Sequence, residues 1–113
     1  MTESTIDHYG SGARKESNLG KGRYDLIPPS ALRRLAMRYQ VGVEKYGERN
    51  WEKGLLFSRY VDSGIRHFIQ YLLGDTTEDH LAAVAWNVFA LMASEHMIEL
   101  GELPDSIDDI PHR

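Results

Sequence analysis

The chain has 113 residues, enough for one domain with a single core. It contains no cysteine, which excludes disulfides and thiolate–zinc centres, and its net charge of −4 argues against long nucleic acid as the main partner. No unbroken apolar run approaches the roughly 20 residues of a membrane helix, and Met1–Gly10 holds no apolar secretion segment, so the expectation is a cytoplasmic protein with no membrane partner.

The charge is unevenly spread. Residues 1–60 hold eleven Lys/Arg against seven Asp/Glu, whereas residues 61–113 hold two against ten. One reading is a half that grips phosphates and a half that holds a cation. Another is attraction between opposite halves of two copies, or a plain solvated surface.

Residues 1–25 are polar and rich in glycine (Gly10, Gly12, Gly20, Gly22), too polar to order by themselves. They are expected to form an extended arm, disordered or ordered by a ligand or a second subunit. Pro28-Pro29 then suits the first turn of a helix. The first helix is expected near 29–46, with Leu32, Leu35, Ala36, Tyr39 and Val43 on its apolar face and Gly47 as its stop. Residues 46–57 read as a loop. Ser58 can cap a second helix near 58–73, whose apolar face is Val61, Ile65, Phe68, Ile69 and Leu72. Thr76 and Asp79 resemble a capping box for a third helix near 77–100, ended by Gly101 and Pro104. The expected fold is therefore all-α: a small bundle of three main helices within a domain spanning 26–101, without a sheet and completed by oligomerisation. An acidic tail, 102–113, is expected to be loose.

The third helix is apolar almost all round from Leu81 to Met92, the pattern of a helix buried on every side. Asn87 is the one strongly polar side chain in that run, and a buried amide without partners costs about 1–3 kcal/mol. It is either the floor of a pocket or a satisfied core asparagine, with His80 on the same face. The second helix carries its own polar stripe: Arg59, Ser63, Arg66, His67 and Gln70, with Asp62 beside it. A short connection makes these helices antiparallel neighbours. Counted from the turn, Asp62 and Arg66 come level with Asn87, while Asp79 and His80 lie at the hairpin tip, in reach of the same site only through another subunit. His67 and His80 can each be structural or ligands.

The loop brings Lys45, Arg49, Asn50, Trp51 and Lys53 together. Lysine and arginine take phosphate oxygens, asparagine pairs with a base edge, and tryptophan stacks on a base. Trp51 can equally be a loop anchor. Lys21 and Arg23, between Gly20 and Tyr24, could add phosphate contacts, although the Walker spacing is absent. The candidate substrate-binding residues are thus Lys21, Arg23, Lys45, Arg49, Asn50, Trp51, Arg66 and His80, and the candidate catalytic residues are Asp62, Asn87 and His67.

Together, Gly20–Pro29, Gly42–Gly54, Arg66-His67, Asp79-His80-Leu81 and Trp86-Asn87 resemble the dATP/dGTP diphosphohydrolase family of tailed phages. That family is grouped with the all-α, MazG-like nucleotide pyrophosphohydrolases. The resemblance implies a deoxynucleoside triphosphate substrate, release of pyrophosphate, Mg²⁺ or Mn²⁺ as cofactor, and host cytoplasm as the location. The wider group builds its metal site from E-E-x-x-E and E-x-x-D. Here the first motif is absent, and the second occurs only as Glu102-Leu103-Pro104-Asp105 in the tail. Asp62, Asn87, Glu44 and Asp79 are the substitute metal ligands expected from position. Three functions stay open: a metal-dependent pyrophosphohydrolase, a phage sponge sequestering a host immune signalling nucleotide, and a structural or interaction bundle without a small ligand. A homodimer or homotetramer is expected in each case.

Overall fold

The computed structural model describes residues 6–112; residues 1–5 of the expected arm and the terminal Arg113 lie outside them. Three helices carry the fold: α1 (Pro29–Tyr46), α2 (Phe57–Leu72) and α3 (His80–Glu99). The protein is an all-α bundle, as its periodicity predicts. Helices α2 and α3 form an antiparallel hairpin, and α1 packs on α3. The first helix starts on Pro29, where a missing amide hydrogen is harmless, and stops at Gly47, whose φ of 87° suits glycine.

The arm departs from expectation. Ile6–His8 (β1) pairs antiparallel with Arg14–Glu16 (β2), with Ile6 opposite Glu16. Three-residue strands leave too little alternation to be read from sequence.

Two helix caps also differ from those predicted. Ser58 is the second residue of α2, not its cap; its backbone N–H and its hydroxyl both donate to Asp109, at 2.8 and 2.6 Å. The tail is accordingly not loose. Ile107 and Ile110 pack against the core of Phe57, Tyr60 and Ala90. Leu103 lies over Gly54, whose φ of 100° and missing side chain both require glycine. At α3 the cap is Asp79, which accepts from the Ala82 N–H at 3.1 Å; Thr76 plays no part.

Asp79 also receives both arms of the Arg34 guanidinium, at 2.8 and 2.7 Å, fastening α1 to the start of α3. That bidentate pair holds the Asp79 carboxyl at about 2. Asp79→Ala is expected to destabilise the fold by about 1–2 kcal/mol, the upper part of the range for a lost N-cap, and to lower Tm in a thermal melt. A carboxyl whose pKa falls on folding stabilises above its unfolded value, so this contribution is complete at neutral pH and lost as pH drops from about 4 to about 2. Asp79→Ala should therefore lose the wild type's excess acid sensitivity in that window.

The largest correction concerns which faces are buried. The apolar face of α2 points outward: Ile65, Phe68, Ile69 and Leu72 are exposed. Phe57 and Tyr60, with the small and polar Ser63 and Gly64, meet α3 instead. Gly64 lies so close that an added Cβ would stand 3.6 Å from that of Asn87. The Asn87 amide donates to the Ala83 carbonyl at 2.8 Å and to the Ser63 hydroxyl at 3.3 Å. Helix α3 is buried mainly on one stripe, His80, Ala83, Asn87, Ala90 and Ser94, with Ala82 beside it, while Val88, Phe89 and Met92 face outward. Although no unbroken apolar run was found, α3 as a whole is long and apolar enough, by length and composition, to cross a membrane. Within this fold it serves as the central packing helix. An apolar groove of about 480 Å³ between α2 and α3 is lined by Val61, Ile65, Phe68, Val84, Val88 and Leu91 among others. Small residues allow close helix approach, and the larger ones are left as an uncovered surface.

Candidate functional site

A cavity of about 790 Å³ opens between the end of α1, the loop that follows it, and one flank of the α2–α3 hairpin. This is within the size range of sites for small ligands. Its floor is Asn87 and Ser63, and Trp86 joins Tyr39 and Tyr60 in an aromatic wall, with ring centroids 6.0 Å apart in both pairs. Trp51 closes the loop side. It also packs against the Phe57 core, so it is at once an anchor and a wall.

Five cations line the cavity, Arg38, Lys45, Arg49, Arg59 and Arg66, against the carboxylates of Glu48 and Glu52. Arg49 is bonded to Glu52 at 2.7 Å, Arg66 to Asp62 at 3.3 Å and Arg38 to Glu78 at 2.8 Å. Lys45 and Arg59 have no ion pair among the described residues. Arg49 has a φ of 57°, a conformation disfavoured for a side chain of its kind, at the mouth of the cavity. Cations and flat aromatic walls around one space are what a nucleotide needs: charge for phosphates and π-faces for a base.

The structure sorts the predicted residues. It brings Lys45, Arg49, Asn50, Trp51, Arg66 and Asn87 to this cavity. It does not bring Lys21, paired with Glu16 at 3.4 Å, or Arg23, paired with Asp25 at 2.8 Å. Asp62 is exposed and bonds Arg66, not Asn87, because a helical residue four positions on is nearer than the facing helix. Arg38, Tyr39, Arg59 and Trp86 were missed as site residues. The α1 periodicity places Tyr39 on the apolar face of the helix. Only the fold shows these helical positions converging on the loop.

His67 and His80 lie apart from the cavity, at the hairpin tip. Their Nδ1 atoms stand 2.9 Å apart, and His80 Nε2 lies 2.6 Å from the Asp75 carboxylate. The Glu78 carboxylate is 3.8 Å from His67 Nδ1. Burial lowers the His67 pKa, against the opposing pull of Glu78. The His80 ring holds the Asp75 carboxyl low, and Arg38 does the same for Glu78.

A family model described as dATP/dGTP diphosphohydrolase, N-terminal, matches residues 11–103. The chain belongs to this dATP/dGTP diphosphohydrolase family. No curated protein and no solved structure matches it. The matched span takes in β2, all three helices and the whole cavity lining.

The metal expected of a diphosphohydrolase can be tested against the donors present. Mg²⁺ and Mn²⁺ favour several convergent oxygens. The four oxygen donors expected to supply them do not converge. Asp79 is bonded to Arg34 and to the α3 start, Asp62 to Arg66 and Asn87 to its neighbours, while Glu44 lies exposed beside Gln40. This oxygen set does not fit a hard cation within one protomer.

Proposed function

We propose that the cavity binds a purine deoxynucleoside triphosphate and that the protein releases pyrophosphate from it. The observation that carries the reading is the convergence of five cations and an aromatic wall on one space of nucleotide size. Lys45, Arg49 and Arg59 would take phosphate oxygens, Trp51 or Trp86 would stack on the base, and Asn87 would mark the cavity floor. Cations fixed in place beforehand stabilise charge that develops on phosphate oxygens as a bond breaks.

A second reading, sequestration of a nucleotide without turnover, is favoured by the dispersed oxygen donors. Incubation of the protein with dATP or dGTP, with Mg²⁺ or Mn²⁺ supplied, separates the two. The hydrolase reading expects monophosphate and pyrophosphate in equal amounts. Tight binding with intact triphosphate would select sequestration. The absence of any thermal shift across a nucleotide panel would remove both and leave an interaction bundle.

The protein is further proposed to act as a homodimer or homotetramer in the cytoplasm. The occupant proposed for the exposed α2–α3 groove is a second copy of the chain, which presents the same apolar face to a two-fold partner.

A further inference from the structure

The hairpin tip gathers ligating groups that the nucleotide reading does not use. His67 comes from the last two turns of α2, His80 opens α3, and Glu78 lies in the turn between them. One ligating atom from each lies within 4.8 Å of the others, the one such group of three among the described residues. We propose that His67 Nδ1, His80 Nδ1 and the Glu78 carboxylate form a binding site for a divalent transition metal of the Zn²⁺ type.

Three observations carry the proposal. First, the spacing fits. Ligands about 2.0–2.2 Å from a tetrahedral ion stand roughly 3.3–3.6 Å from one another, and the distances of 2.9 Å between the two nitrogens and 3.8 Å from His67 to Glu78 bracket that range. Second, the His80 ring is oriented from behind. Its Nε2 faces the Asp75 carboxylate at 2.6 Å, so in the neutral ring the proton belongs on Nε2 and the Nδ1 lone pair faces His67. A carboxylate behind a histidine is the usual support of a metal-bound imidazole. When a cation binds, both Nδ1 atoms present lone pairs to it, and the neutral His67 ring carries its proton on Nε2. Third, the rings are shielded while the site stays reachable. His80 is 3% exposed, whereas the Glu78 side chain is 44% exposed. Two nitrogens and one oxygen favour Zn²⁺, Co²⁺ or Ni²⁺ over Mg²⁺. Glu78 also holds Arg38, a wall of the nucleotide cavity, so one carboxylate joins the two sites.

The test uses the full chain, free of any histidine tag and stripped with a chelator. Titration with Co²⁺ is expected to give one ion per chain with visible d–d absorption, displaced by Zn²⁺ and not by millimolar Mg²⁺. Zn²⁺ should raise Tm. His67→Gln and Glu78→Gln should each weaken Co²⁺ binding at least tenfold with an unchanged circular dichroism spectrum. His112→Ala, far along the chain at Asp108, should leave binding intact. The proposal is overturned if no stoichiometric Co²⁺ binds, or if either ligand variant that keeps its fold binds like the wild type. If one variant fails to fold, the other decides. None of these readouts depends on nucleotide, so failure here leaves the nucleotide reading standing.

Discussion

Lys45→Ala and Arg49→Ala are each expected to weaken triphosphate binding by about 1–3 kcal/mol, the range for hydrogen bonds to charged groups. Lys45 should show the larger loss, because Arg49 already shares its charge with Glu52 whereas Lys45 has no ion pair among the described residues. Both variants should lose discrimination between triphosphate and monophosphate, since the missing contacts are to distal phosphates. Trp51→Ala should weaken both ligands alike, because both carry the base, and should also lower Tm, because the indole packs on the Phe57 core. Added salt should weaken the wild type more than the cation variants, since exposed charge is screened over about 8–10 Å. Calorimetric titration with dATP, dGTP and their monophosphates reads all of this. If the two cation variants bind like the wild type at low salt, the phosphates do not lie in this cavity.

Ile65→Asp and Phe68→Asp should turn an oligomer into a monomer. Both side chains are exposed on α2, at 57% and 46%, which no packing within the protomer explains. Fully burying such a side chain stabilises by about 1.5–3 kcal/mol. A two-fold interface uses each residue twice, so one substitution should cost about 3–6 kcal/mol of association, before adding the cost of burying a carboxylate. Light scattering at micromolar protein should give a dimer or tetramer for the wild type and a monomer for both variants. A strictly monomeric wild type at high micromolar concentration would refute the proposed second copy.

The helices themselves were legible. Pro29, Gly47, Gly74 and Gly101 are local signals, and each punctuates a helix where it should. The register of the hairpin was legible too: facing positions counted from the turn set Gly64 against Asn87, and they touch. What periodicity could not say is what covers a face. It correctly grouped Val61, Ile65, Phe68 and Ile69, but that stripe looks outward, and Phe57, Tyr60, Ser63 and Gly64 do the packing. The loop cations could be found because Lys45, Arg49 and Lys53 fall within nine residues of sequence. Arg38, Arg59 and Trp86 could not, because three separate helices deliver them. The paired histidines hid for the same reason: rings of that length reach past their own register to meet across the hairpin. The acidic turn from Asp75 to Glu78, just before His80, was the available hint.

The bond from Ser58 to Asp109 spans 51 positions of sequence. Its consequence lies in the order of synthesis. Helix α2 leaves the ribosome long before the carboxylate that fixes its first turn exists. The loop preceding that turn, from Gly47 to Gly54, waits as well, since Leu103 and Ile107 close over Gly54. The cavity is therefore among the last parts of the chain to mature, and nascent chains halted before residue 103 should emerge with helical hairpins but no competent pocket.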